Sequence, residues 1–146
     1  MSIWLDFQLP IYYIVKPLMQ KKRIALVDDD IGIQEMLKGE LENSGYEVEV
    51  VPEGHGLIDV LIKTKPDLVL LDVSLPGMDG ISLCHELRRT PGMAGLPVIM
   101  LTAFADKKTI DDSLMFGADD YIGKPFSIKE IRAKIEKYLE TGIKEG

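Results

Sequence analysis

Cysteine is nearly absent: Cys84 is the only one among 146 residues. One thiol excludes an intrachain disulfide framework and fits a reducing compartment, so a cytoplasmic location is expected. Histidine is almost as scarce. His55 and His85 stand apart, no Cys/His cluster has zinc spacing, and both are read as surface helix residues. Basic residues are outnumbered, 17 Lys and Arg against 24 Asp and Glu, for a net charge of −7. That balance excludes a nucleic-acid surface spread over the whole domain, because phosphate contacts need clustered cations. No direct nucleic-acid partner is expected. A membrane-spanning helix needs about 20 apolar residues in a row. The most apolar stretch, "MSIWLDFQLPIYYIVKPLMQ", is broken by Asp6, Gln8, Pro10 and Lys16, and it lacks the basic start of a secretory leader. No membrane span is expected.

What is there suits one domain: 46% of residues are hydrophobic and 28% charged. Residues 1–20 are read as an arm or linker, 21–140 as the domain and 141–146 as a tail whose terminal Glu-Gly carries no weight. The arm fits an appendage, a linker from something upstream, or a start assigned too early. Trp4, Phe7, Tyr12 and Tyr13 expose too much apolar area to stay in water without cost, so the arm is expected to pack on the domain or on a second copy. From Met19 the pattern alternates. "RIALVD", "EVEVV", "DLVLLD", "LPVIMLTA" and "DYIG" read as strands. Between and after them lie helical stripes: Ile33, Met36, Leu37 and Leu41; then Leu57, Ile58, Leu61 and Ile62; then Leu83, Cys84 and Leu87; then Ile110 and Leu114; then Ile128, Ile131, Ile135 and Tyr138. Asp30 reads as a helix cap, "VSLPGMDG" as loop, and Cys84 as a small core residue. Five βα units, three of them with continuous apolar strands, imply a doubly wound parallel sheet with helices on both faces. Ligands of such sheets bind beyond the carboxyl ends of the strands.

Every strong polar signal falls at those ends. Asp28 and Asp29 follow the first strand, Asp72 ends the third, Thr102 the fourth, and Lys124 lies just past the fifth. Adjacent carboxylates repel one another and resist leaving water, so a cation site explains them better than a solvated turn. Hard oxygen donors without His or Cys select Mg²⁺ or a similar cation. A carboxylate beside it can act as nucleophile toward phosphorus. Lys124 supplies positive charge to the phosphoryl oxygens, and the Thr102 hydroxyl supplies a hydrogen bond.

"VDDD", "LLDVSLPGMDG", "MLTA" and "YIGKPF" resemble, in order and spacing, the motifs of bacterial two-component response-regulator receiver domains of the chemotaxis-regulator type. The resemblance covers about residues 21–139. It implies a five-stranded flavodoxin-like sheet in the order 2-1-3-4-5. It implies Asp72 as phosphoacceptor, Asp29 as a direct Mg²⁺ ligand, Asp28 as a ligand largely through water, and the backbone carbonyl of Ser74 as a further ligand. Thr102 matches the switch hydroxyl, Lys124 the phosphate-binding lysine, Tyr121 the aromatic switch residue, and Pro125 a position where a cis peptide is frequent. Ser74 and Phe104 match the positions flanking the water path to the acyl phosphate. Neither carries an amide or carboxylate, so a long-lived phosphorylated state is expected. The implied partners are a histidine kinase or phosphotransfer protein, then a downstream target or a homodimer through the face of the fourth helix, fifth strand and fifth helix. The chain is not expected to be an enzyme beyond promoting its own phosphorylation and dephosphorylation.

Plainer roles stand beside these. Phe104 and Phe126 read as packing residues, and Lys129, Arg132, Lys134 and Lys137 as a solvated helix face. A Mg²⁺-dependent aspartyl-phosphate phosphatase is the competing enzyme, but it needs a general-acid Asp where this chain has Ser74. An interaction module that never turns over phosphate is the competing binder, although acceptor and lysine are both present. Flavin binding would rest on the fold alone. No DNA-binding domain is expected after Leu139, where only "ETGIKEG" remains.

Overall fold

The computed structural model describes Ile11, residues 20–103 and residues 106–145. Trp4, Phe7, Tyr12, Tyr13 and Phe104 lie outside the described residues. Five strands form the sheet, β1 (Arg23–Val27), β2 (Glu47–Val51), β3 (Leu68–Asp72), β4 (Val98–Thr102) and β5 (Asp120–Gly123), and of these β1, β3 and β4 are too apolar to leave either face in water. They pair in parallel in the order β2-β1-β3-β4-β5, the order the resemblance implies. Between them run α1 (Ile31–Asn43), α2 (Leu57–Thr64), α3 (Gly80–Arg88) and α4 (Lys107–Met115). The last helix, α5 (Ile128–Glu145), carries on through the stretch expected as a tail.

Alternation along each strand sends side chains to two separate cores. On one face Ala25, Val27, Val69, Leu71, Val98 and Met100 pack with Leu57 and Leu61 of α2 and Leu83, Cys84 and Leu87 of α3. On the other, Ile24, Leu26, Leu70, Ile99, Leu101 and Ile122 pack with Leu37 and Leu41 of α1 and Ile131 and Ile135 of α5. Truncating one buried Leu of this kind to Ala typically costs about 2–5 kcal/mol. Cys84 is buried as expected, and its burial pushes the thiol up to about 11.

Side-chain caps start three helices on the rim side. Asp30 accepts from Ile33 N–H at 3.0 Å, Asp79 from Ile81 N–H at 3.0 Å, and Asp106 from Thr109 N–H at 3.3 Å. Each satisfies an N–H that the helix itself leaves unpaired.

The structure corrects four expectations. "VSLPGMDG" is not featureless loop: Ser74–Leu75 pairs antiparallel with Met78–Asp79 around Gly77, which adopts φ +71°. Two-residue strands are too short to show alternation. His55 lies in the turn before α2, not in a helix, whereas His85 on α3 packs against Phe116 with ring centres 5.3 Å apart and planes tilted by 60°. Leu114 and Ile62 are half exposed, so the stripes of α4 and α2 are only partly core. The basic series on α5 is not uniformly solvated: Lys134 donates to Asp120 at 2.9 Å and to the Tyr121 carbonyl at 2.8 Å.

Candidate functional site

Strand register brings the polar residues to one rim. Val27 pairs with Leu71, Asp72 with Leu101, and Thr102 with Gly123. Asp28 therefore follows β1 at the level of Asp72, and Lys124 follows β5 beside Thr102. Backbone bonds carry the pairing past the strands: Asp28 N–H donates to the Val51 carbonyl at 3.3 Å and Lys124 N–H to the Thr102 carbonyl at 2.7 Å.

The carboxylates of Asp28, Asp29 and Asp72 each offer an oxygen within 4.8 Å of the others. Asp28 and Asp72 are buried, and Asp29 stands exposed at the mouth. Lys124 reaches between the two buried groups, 3.0 Å from Asp28 Oδ2 and 3.4 Å from Asp72 Oδ2. Further donors hold the acids in place. Asp28 Oδ1 accepts from Asp30 N–H at 2.9 Å, the Asp28 carbonyl accepts from the Gln34 amide at 2.6 Å, and Asp72 Oδ1 accepts from Ser74 N–H at 3.0 Å. One ammonium faces three carboxylates, which leaves a negative site of hard oxygens suited to a divalent cation.

The protonation states follow from these contacts. Burial pushes the Asp72 pKa above the usual carboxylate value. Ser74 N–H works against that, the Asp28 charge adds to it, and Lys124 opposes it. Burial alone would lower the Lys124 pKa, but the hydrogen bond and charge of Asp28, and then those of Asp72, hold it above the ordinary lysine value.

Most residues expected at the site do meet here: Asp28, Asp29, Asp72 and Lys124 in direct proximity, with Ser74 through its N–H. Thr102 is buried at the same rim. Tyr121 sits away from the carboxylates, half-buried against the α2/α3 core, with the Lys134 ammonium 5.0 Å from its ring centre. The Lys124–Pro125 peptide is cis. Two contributors were not read from the sequence. Gln34 anchors the Asp28 backbone from α1. Gly80 abuts the end of β3, where a Cβ would collide with the Asp72 carbonyl and the Val73 Cα.

Residues 24–136 match the response regulator receiver domain. The chain belongs to that family. It is 42% identical over 125 residues to the DNA-binding response regulator MtrA of Mycolicibacterium paratuberculosis, covering 86% of this chain and 54% of that protein. A putative response regulator from Chloroflexus aurantiacus superposes with a TM-score of 0.78 at 36% identity, over 82% of this chain and 98% of the other. The receiver domain of a signal transduction histidine kinase from Syntrophus aciditrophicus gives 0.77 at 37% identity, over 86% and 94%. This chain spans about half the length of the curated relatives it matches. The expectation of no nucleic-acid contact therefore bears only on the residues in hand. Receivers of this family act in phosphorylation-based signalling with histidine kinases, bind Mg²⁺ at an acidic pocket, and are generally not enzymes in the ordinary sense. No described helix is long and apolar enough to cross a membrane.

Proposed function

We propose that the chain is a phospho-accepting switch of a two-component phosphorelay, with Asp72 as the acceptor and Mg²⁺ as the required cation. The observation that carries this reading is the meeting of Asp72 with Asp28, Asp29 and Lys124 at one strand rim. Asp28, Asp29 and Asp72, with the Ser74 carbonyl, are the groups to hold the cation, Asp28 largely through water. When bound, Mg²⁺ neutralises the cluster and offsets the charge of an incoming phosphoryl group.

A carboxylate oxygen of Asp72 attacks the phosphorus of a phosphohistidine or of a small donor such as acetyl phosphate. An O–P bond forms, and the bond to the imidazole nitrogen or acetate oxygen breaks. Lys124, already lodged between Asp28 and Asp72, then pairs with the phosphoryl oxygens. The Thr102 hydroxyl turns toward the phosphoryl group, and the Tyr121 ring moves in behind it. The face of α4, β5 and α5 reads out the change to a downstream protein or a second copy. Relatives named as DNA-binding extend well beyond the matched region, in keeping with an acidic receiver that leaves nucleic acid to other segments. A cytoplasmic setting suits the single buried thiol.

Intact mass after incubation with acetyl phosphate tests the reading. One phosphoryl adduct is expected with Mg²⁺, and none without it or on Asp72→Asn. An undiminished adduct on Asp72→Asn would sink the assignment.

A further inference from the structure

The end of the sheet opposite the carboxylate rim carries a surface that phosphoryl chemistry does not use. An open groove of about 340 Å³ runs between the C-terminal end of α2 and the loop joining α3 to β4. Leu61, Ile62 and Pro66 form one wall, and Pro91, Met93 and Leu96 the other. Ile62 is 49% exposed although it continues the apolar stripe of α2. No aromatic ring among the described residues lines the groove, so it offers no platform for a stacked base.

Charge surrounds this groove unevenly. Lys65 belongs both to the groove and to an adjoining polar recess with Lys21, Arg23, Glu47 and Asp67. Arg23 engages both acids of that recess: its side chain pairs with Glu47 at 3.3 Å, and its N–H donates to Asp67 at 2.7 Å. Lys21, Lys65 and Lys63 in the last turn of α2 are exposed and make no ion pair among the described residues. A chain of net charge −7 thus turns unpaired ammonium groups to solvent beside apolar side chains. Lys65 also stands at φ +50°, the one non-glycine residue at positive φ among the described residues. Glycine meets no steric cost there, so this side chain is kept against backbone strain.

We propose that this groove docks an acidic segment of a partner protein, with an apolar side chain seated between Ile62 and Met93 and flanking carboxylates paired with Lys65 and Lys21. The trough is open, so it accepts a side chain carried on a peptide rather than enclosing a whole small molecule. Met93 adapts to the shape that enters, while Pro66 and Pro91 keep the walls stiff. An acidic segment is repelled by most of an acidic surface and accepted where ammonium groups gather, which gives the contact its specificity. Docking there leaves the Asp72 rim open.

Amide chemical shifts of the full chain test the contact with two blocked peptides of one apolar core, Glu-Asp-Leu-Phe-Glu-Asp and Lys-Arg-Leu-Phe-Lys-Arg. The acidic peptide should shift residues 61–65 and 92–96 saturably, and the basic one should not. Lys65→Gly should raise the Kd roughly threefold, the worth of one exposed ion pair. That variant relieves the left-handed strain, so a urea midpoint no lower than wild type separates lost binding from lost fold. Lys21→Gln should weaken binding to a similar extent without touching a helix end. Ile62→Ser should weaken it with the charges intact. Equal shifts with both peptides, shifts confined to other surfaces, or an unchanged Kd in the two lysine variants overturn the proposal. No shift at the groove overturns it as well, and co-sedimentation of the chain with phosphatidylglycerol vesicles would then assign the ammonium cluster to a lipid surface.

Discussion

Asp72 holds a charge where the fold least favours one. Burial raises its pKa, and the Asp28 charge adds to that rise against the opposing Ser74 and Lys124 contacts. A carboxyl that protonates more readily when folded withdraws stability as pH rises from its unfolded value through its folded one. At pH 7 without Mg²⁺, Asp72→Asn should therefore raise the urea midpoint with no change in m-value. Mg²⁺ should reverse the order. A ligand at a hundred times its Kd stabilises by about 2.7 kcal/mol, and the wild type should gain more of this than the amide variant. Ser74 supports a second expectation. Its short side chain cannot aim water at the acyl phosphate, so Ser74→Asn should shorten the phospho-Asp72 lifetime severalfold, read as mass decay with Mg²⁺ present. The carboxylates and Lys124 were legible in the sequence because an apolar run that stops at an acid marks a strand end. Arg88 was not. It donates to the carbonyls of Gly117 at 2.7 Å and Ala94 at 3.2 Å and pairs with Asp119 at 2.7 Å. Carbonyl acceptors belong to every residue and leave no mark on the pattern.

At the scale of elements, α3 starts hard against the end of β3. Gly80 N–H donates to the Val73 carbonyl at 2.8 Å, and a Cβ at Gly80 would strike the Asp72 carbonyl. Gly80→Ala must push the helix and the strand end apart. Overpacking of this kind costs about 1–3 kcal/mol. The displaced Asp72 should also accept phosphoryl groups more slowly, and the acetyl phosphate time course measures that loss apart from the unfolding midpoint. The two-faced core was readable because β1, β3 and β4 are apolar but for an end residue, whereas the strand order came only with the family resemblance. The Ser74–Asp79 hairpin was hidden because two residues per strand show no period. The role of Lys134 was hidden because it follows the spacing of a solvent face, yet the helix turns it onto Asp120 and Tyr121.

Over the whole molecule, stability at the extremes of pH should be set partly where α5 meets β5. Burial alone would raise the Asp120 pKa, but the Lys134 bond, the Tyr121 N–H and the Tyr138 hydroxyl together hold it below the usual value. A depressed carboxyl contributes stability above its unfolded pKa and loses it as pH falls through the folded one. Burial, then the bond to Asp120, pushes Tyr138 up to about 12, so its contribution persists below about pH 10 and fades as pH climbs toward that value. Lys134→Met should cost about 1 kcal/mol at pH 7, allowing for solvent screening, and the deficit should vanish in acid once Asp120 is protonated. Thermal midpoints across pH 2–8 check both parts.

The parallel sheet also divides labour between its two ends. The proposed phosphoryl chemistry belongs to the carboxyl rim, while the return turns, such as the one through Ser44 and Gly45 at φ +100°, lie at the other end. A reporter module spliced into that exposed turn would meet no catalytic group and interrupt no strand. The domain is thus a natural chassis for a phosphate-gated sensor, with one end left to the chemistry and the other open to grafting.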